Sequence, residues 1–182
     1  AGCMASAGDT TDPMEKAIYA LHTDMAYEKS ALDFEREYSL SKGLLMMTRA
    51  YRSNQQMHYY LTAKGAPEVV LSLCNCTDDE RRAQLNLVHE MASHGYRVIA
   101  VAEAGHEGEE WPETQHGFKY TLLGLLGFEA PMRPEVPQAV AECKTAGIRV
   151  CMITGDFPIT ALAIADKIGL DHRQRVMTGD EL

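Results

Sequence analysis

In Gly147-Ile148-Arg149-Val150-Cys151-Met152-Ile153-Thr154-Gly155-Asp156, a mostly apolar run of six residues ends abruptly in Thr-Gly-Asp. A run of that length and composition is expected as a buried strand. The glycine after it permits a tight turn, so Thr154 and Asp156 project from the strand's carboxyl end. Outward from there, Thr121 to Phe128 reads as a second apolar strand, and Pro134 to Ala146 and Ile159 to Ile168 read as helices. Strands alternating with helices imply a parallel sheet with right-handed crossovers, and such sheets gather ligands beyond the carboxyl ends of their strands. Ala130 to Arg133 and Thr154 to Asp156 fall at those ends. The tripeptide alone is weak, because Thr178-Gly179-Asp180 has the same composition where a simple turn suffices.

Upstream the rhythm differs. Ala1 to Thr10 is small and polar and reads as a frayed, disordered linker without a role. Asp12-Pro13-Met14-Glu15 opens a helix to about Met25, with Ile18, Leu21, His22 and Met25 on one side. Leu44 to Tyr51 and Met57 to Ala63 are strand-like and joined by the polar Arg52 to Gln56, as in an antiparallel hairpin. Ala66 to Leu73 starts a short helix at Pro67. Asp78 is expected to cap a longer one to His94 with Leu85, Val88 and Met91 inward, ended by Gly95. Arg97 to Ala102 is a strand, and Gly105 to Gly117 reads as an exposed loop.

The 182 residues carry a formal charge of −9, with 26 acidic against 17 basic residues, which disfavours a nucleic-acid or anionic-membrane surface. The longest apolar runs fall far short of the roughly 18 residues of a membrane span, so a soluble piece is expected. The five cysteines, Cys3, Cys74, Cys76, Cys143 and Cys151, lack the paired spacing of a disulfide framework or a zinc ribbon, and a reducing compartment fits them best. No metal ligand set is assigned. Lys64-Gly65-Ala66-Pro67-Glu68 joins a strand to a helix whose first N–H groups suit an anion, with a cation alongside. The same residues also suit a plain helix cap beside a solvent lysine.

Lys64-Gly65-Ala66-Pro67-Glu68 resembles the Lys-Gly-Ala-Pro-Glu motif of P-type ATPase nucleotide-binding domains, and Gly147 to Asp156 resembles the Thr-Gly-Asp strand of their phosphorylation domains. Gly95-Tyr96-Arg97-Val98-Ile99-Ala100 is similar to the family's Gly-x-Arg-x-x-Ala strand. Arg133-Pro134-Glu135-Val136 is similar to the end of its Asp-Pro-Pro-Arg hinge and the following helix. The resemblance spans about Asp12 to Leu182 and is nearest to bacterial-type calcium or cation pumps. It implies an α/β fold: residues 11–120 as an ATP-binding domain with an antiparallel sheet flanked by helices, then 121–182 as part of a haloacid-dehalogenase-like, Rossmann-type parallel sheet.

The resemblance also implies site residues. Lys64, with Gly65, lines the ATP pocket, and Glu15 lies near the adenine amino group. Tyr38 or Phe34 stacks on adenine, Arg97 approaches the phosphates, and Arg133, Thr154, Gly155 and Asp156 follow from the hinge and the Thr-Gly-Asp motif. ATP or ADP is the implied ligand, Mg2+ belongs to the intact pump, and the partners are the pump's remaining domains, with no nucleic acid and no direct membrane contact. The setting is the cytoplasmic face of a membrane.

Two departures stand out. Neither the Asp-Lys-Thr-Gly-Thr motif, whose aspartate is phosphorylated, nor the magnesium-binding Gly-Asp-Gly-x-Asn-Asp motif occurs here, and Ala130-Pro131 stands where the family has Asp-Pro. Glu129 is one position early and would face the other side of a strand. Without the nucleophile no aspartyl phosphate forms, so no catalytic residue is assigned and the chain is expected to be an inactive fragment of a pump. A haloacid-dehalogenase-like phosphatase and a noncatalytic nucleotide-binding module are the alternatives.

Overall fold

The antiparallel hairpin is the centre of the structure. β2 (Met46–Arg52) pairs with β3 (His58–Gly65) in an unbroken register from Met46 opposite Gly65 to Arg52 opposite Tyr59. The computed structural model describes residues 1–6, 11–24, 32–52, 58–129, 131–171, 176–178 and 181, leaving out the side chains of 22–24. The expected contributions of His22, Met25, Met57, Ala130 and most of the Arg52 to Gln56 connection lie outside it. β1 (Asp33–Tyr38), β4 (Arg97–Glu107) and β5 (Thr121–Phe128) complete a five-stranded antiparallel sheet in the order β1-β2-β3-β4-β5.

Four segments of the expected strand pattern come out differently. β1 went unread because Asp-Phe-Glu-Arg-Glu-Tyr has no alternating pattern. It is an exposed edge strand whose charges discourage further pairing. β4 runs on to Glu107, since His58 to Gly65 offers eight partners and the ladder extends through Gly105 and His106. β5, expected to open a parallel sheet, is instead the edge strand beside β4. Residues 148–153 form no strand: Ile153 is 96% exposed and Ile148 57%. An isolated strand has no neighbour for its N–H and C=O groups, and β5 is already paired with β4.

The helices are α1 (Pro13–Asp24), α2 (Pro67–Leu73), α3 (Asp78–Ser93), α4 (Val136–Thr145) and α5 (Pro158–Lys167). Thr77, rather than Asp78, caps α3. Its hydroxyl accepts from Glu80 N–H at 3.2 Å while the Glu80 carboxylate accepts from Thr77 N–H at 2.8 Å, a reciprocal box. Gly95, Gly147 and Gly169, all at positive φ, end α3, α4 and α5 in one way, the residue after each glycine donating back five positions: Tyr96 to Met91, Ile148 to Cys143, Leu170 to Ala165.

Two compact units result: Ala1–Leu85 with Ile99–Leu126, and Asn86–Val98 with Gly127–Leu182. In the first, one sheet face holds the core. Ala50, Leu61, Ala63, Ala100 and Ala102 are fully buried with Met46, Val70 and Tyr120, and the run of alanines lets α2 pack close to the sheet. Residues 1–6, expected to fray, are instead packed turns, with Ala5 and Ser6 almost wholly buried.

Candidate functional site

The other face of the first unit's sheet is polar. Side chains directly opposite one another in an antiparallel ladder share a face, so the register places Arg49, Tyr51, Tyr60, Thr62, Lys64 and Glu103 together. Asp12 sets the start of α1 by accepting Met14 N–H at 2.7 Å, which fixes Glu15 in the first turn. Glu15 forms an ion pair with Lys64, and the two side chains are 12% and 13% exposed respectively. Lys64 also donates to Ser6 Oγ at 2.7 Å. It is thus not a solvent lysine beside a cap. An ammonium so far removed from water is tolerable because a carboxylate and a hydroxyl replace its hydration.

Around this pair the N-terminal turns are fastened to β2 and to α1. Arg49 Nη1 donates to Ser6 O, Tyr51 donates to Met4 O, and Tyr19 donates to Cys3 O at 3.1 Å. Arg49 also lies 3.1 Å from Glu37 Oε2 and has its guanidinium 4.7 Å from the Phe34 ring centroid. Burial raises the Tyr51 phenol above its usual value and keeps it a donor. Thr62 is fully buried beside Arg49 and Glu103, its hydroxyl unpartnered among the described residues.

The two aromatic candidates part company. Phe34, 53% exposed, shares the Lys64 face but lies level with Tyr51 and Tyr60, four residues along β3 from Lys64. Tyr38 lies level with Ala63, next to Lys64, but is turned to the opposite face, donating to Pro112 O at 2.8 Å and meeting Phe118 edge-on at 5.3 Å. Gly65 is held by close packing: a Cβ there would come 2.4 Å from Leu45 O.

In the second unit, Arg97 Nε lies 3.9 Å from Asp156 Oδ1. Thr154 Oγ1 donates to Asp156 Oδ2 at 2.8 Å and accepts Asp156 N–H at 3.0 Å. Arg97, Thr154, Gly155 and Asp156 therefore form one group, whose exposed, long ion pair adds little to stability. Arg133 is exposed just ahead of α4, its carbonyl accepting from Val136 N–H. Sequence reasoning missed Ser6, Arg49 and Thr62. The last two were accessible by counting in twos from Lys64 along β3 and across the hairpin. Nothing local singles out Ser6.

A family model described as P-type ATPase, cytoplasmic domain N, matches residues 8–135. The chain belongs to the P-type ATPases. It is 34% identical over 187 residues to a calcium-transporting ATPase of Bacillus subtilis, covering 94% of this chain and 21% of that protein. It is 35% identical over 159 residues to calcium-transporting ATPase 1 of Yarrowia lipolytica, covering 79% of this chain and 17% of that one. Against plasma membrane calcium-transporting ATPase 4 of Bos taurus it is 35% identical over 127 residues, 62% of this chain and 10% of that protein. The chain thus spans about a fifth or less of the length of these relatives. Among its described residues no helix is long and apolar enough to cross a membrane. Nor, among those residues, do three His, Cys, Asp or Glu side chains converge where a metal ion could be held.

Proposed function

We propose that the Lys64–Glu15 face binds the adenine nucleotide ATP or ADP, and that the chain is the nucleotide-binding part of a longer cation-transporting ATPase. One observation carries the reading: an ammonium and a carboxylate, largely withdrawn from water, stand side by side on the polar face of the sheet. Adenine offers a ring nitrogen that accepts and an exocyclic amine that donates, so such a pair can meet both. An aromatic ring and a second cation, Phe34 with Arg49, lie on the same face.

In the longer protein the γ-phosphoryl group passes to an aspartate outside this sequence, and the cycle drives cations across the membrane on whose cytoplasmic face these units work. The residues that follow β5 contribute to a haloacid-dehalogenase-like parallel sheet there, in which the apolar 148–153 segment is a strand and Thr154 to Asp156, with Arg97, form a phosphate-binding group. The exposure of Ile148 and Ile153 supports that reading, because apolar side chains and unladdered backbone are what neighbouring strands cover.

Calorimetric titration of the 182-residue chain with ATP and ADP tests the binding, with a dissociation constant between micromolar and millimolar expected. Lys64→Met is expected to weaken it by about 1–3 kcal/mol, the range for a hydrogen bond from a charged group. Equal affinity of Lys64→Met and the parent chain overturns the assignment.

A further inference from the structure

We propose that Ser6 is a positioning residue for the nucleotide site, holding the Lys64 ammonium in the orientation in which it meets its ligand. The inference rests on the nucleotide reading of the Lys64 face and adds a residue that neither sequence motif nor family resemblance points to.

A lysine ammonium has three N–H donors. In Lys64 one goes to Glu15 and one to Ser6 Oγ. With Glu15 as the only partner, four rotatable side-chain bonds would let the ammonium settle anywhere around the carboxylate. A second fixed acceptor removes that freedom and sets the direction of the third donor.

Ser6 suits the task because it does not move itself. It is 1% exposed. Its hydroxyl donates to Gly2 O at 3.0 Å, so the lone pairs turn toward Lys64. Its carbonyl accepts from Arg49 and, at 3.3 Å, from Tyr19. Arg49 comes from β2 and Tyr19 from α1, so the serine is pinned to both elements that flank the ion pair. Alanine would fill the same space and keep the carbonyl contacts, losing only the bond to Lys64 and the one to Gly2.

The experiment is a double-mutant cycle on the full chain, with ADP affinity measured by calorimetry for the parent, Ser6→Ala, Lys64→Met and the double variant. Ser6→Ala alone is expected to weaken ADP binding roughly three- to tenfold, as for one hydrogen bond. In the Lys64→Met background it is expected to change nothing, because the group it orients is gone. Ser6→Thr, which keeps a hydroxyl, is expected to restore affinity to within about threefold of the parent chain. Equal loss from Ser6→Ala in both backgrounds overturns the proposal, since Ser6 would then act through the fold alone. So does parent-like affinity in Ser6→Ala while Lys64→Met binds weakly, an outcome that leaves the nucleotide reading standing. Unchanged affinity in Lys64→Met overturns both.

Discussion

Truncating Lys64 to alanine is expected to cost the fold as well as the ligand, because Glu15 loses its ion-pair partner at 12% exposure. The cost should be about 1–3 kcal/mol, below that of breaking a fully buried pair, and denaturant unfolding without nucleotide measures it. A solvent lysine would leave the midpoint unmoved, so parent-like stability contradicts the geometry. Beside it, Gly65→Ala places a methyl 2.4 Å from Leu45 O and 2.7 Å from Met46 Cα, both backbone atoms that cannot swing aside. A loss of about 1–3 kcal/mol is expected in the same assay, from overpacking against the paired strand. The cysteines offer a third test at this scale. Burial pushes the Cys74 thiol up to about 11, whereas Cys151 is exposed. Iodoacetamide at pH 8 is expected to label Cys151 well before Cys74, as peptide mapping would show, since thiolate and access are both needed.

Among the elements, α3 depends on the Thr77–Glu80 box. The Thr77 N–H and hydroxyl hold the Glu80 carboxyl below its usual value. A carboxyl whose value is depressed by folding contributes stability above its unfolded value and loses it as pH falls through the folded one. The stability difference between Glu80→Gln and the parent chain is therefore expected to be present at neutral pH and to shrink as the pH drops below about 4, the ordinary carboxylate range. A pH-independent difference would assign the effect to the cap geometry alone. The charged edge strand β1 belongs to the same scale. It takes its place from pairing with β2, where Asp33 meets Arg52 and Tyr38 meets Thr48, and shows no hydrophobic period of its own.

For the molecule as a whole, amide exchange should grade the chain by how completely its backbone is paired. β3 is laddered on both sides, by β2 and by β4, and its Leu61 and Ala63 are fully buried. Residues 149–153 lie in no ladder, and Arg149, Cys151 and Ile153 are exposed. Mass-spectrometric hydrogen exchange is expected to find slow amides in 59–64 and amides in 149–153 exchanging orders of magnitude faster. Equal protection would mean that the second segment has found strand partners.

Much of the fold was local enough to be legible. The hairpin, the helix beginning at Pro67, the helix ends at Gly95 and Gly147, and the motif at Lys64 follow from period, turn chemistry and short-range caps, each settled within a few residues. The family was legible for the same reason, through short motifs in order. What the sequence left open were the matters decided by partners distant in the chain. Whether Thr121–Phe128 pairs with β4 or lies parallel to 148–153 depends on which neighbour satisfies its backbone, and both segments read as apolar strands. Whether Lys64 meets solvent or an ion-pair partner depends on a helix beginning some fifty residues earlier and on turns that read as an unstructured end. Side-chain period fixes which face of a strand a residue occupies, whereas only tertiary packing decides what covers that face.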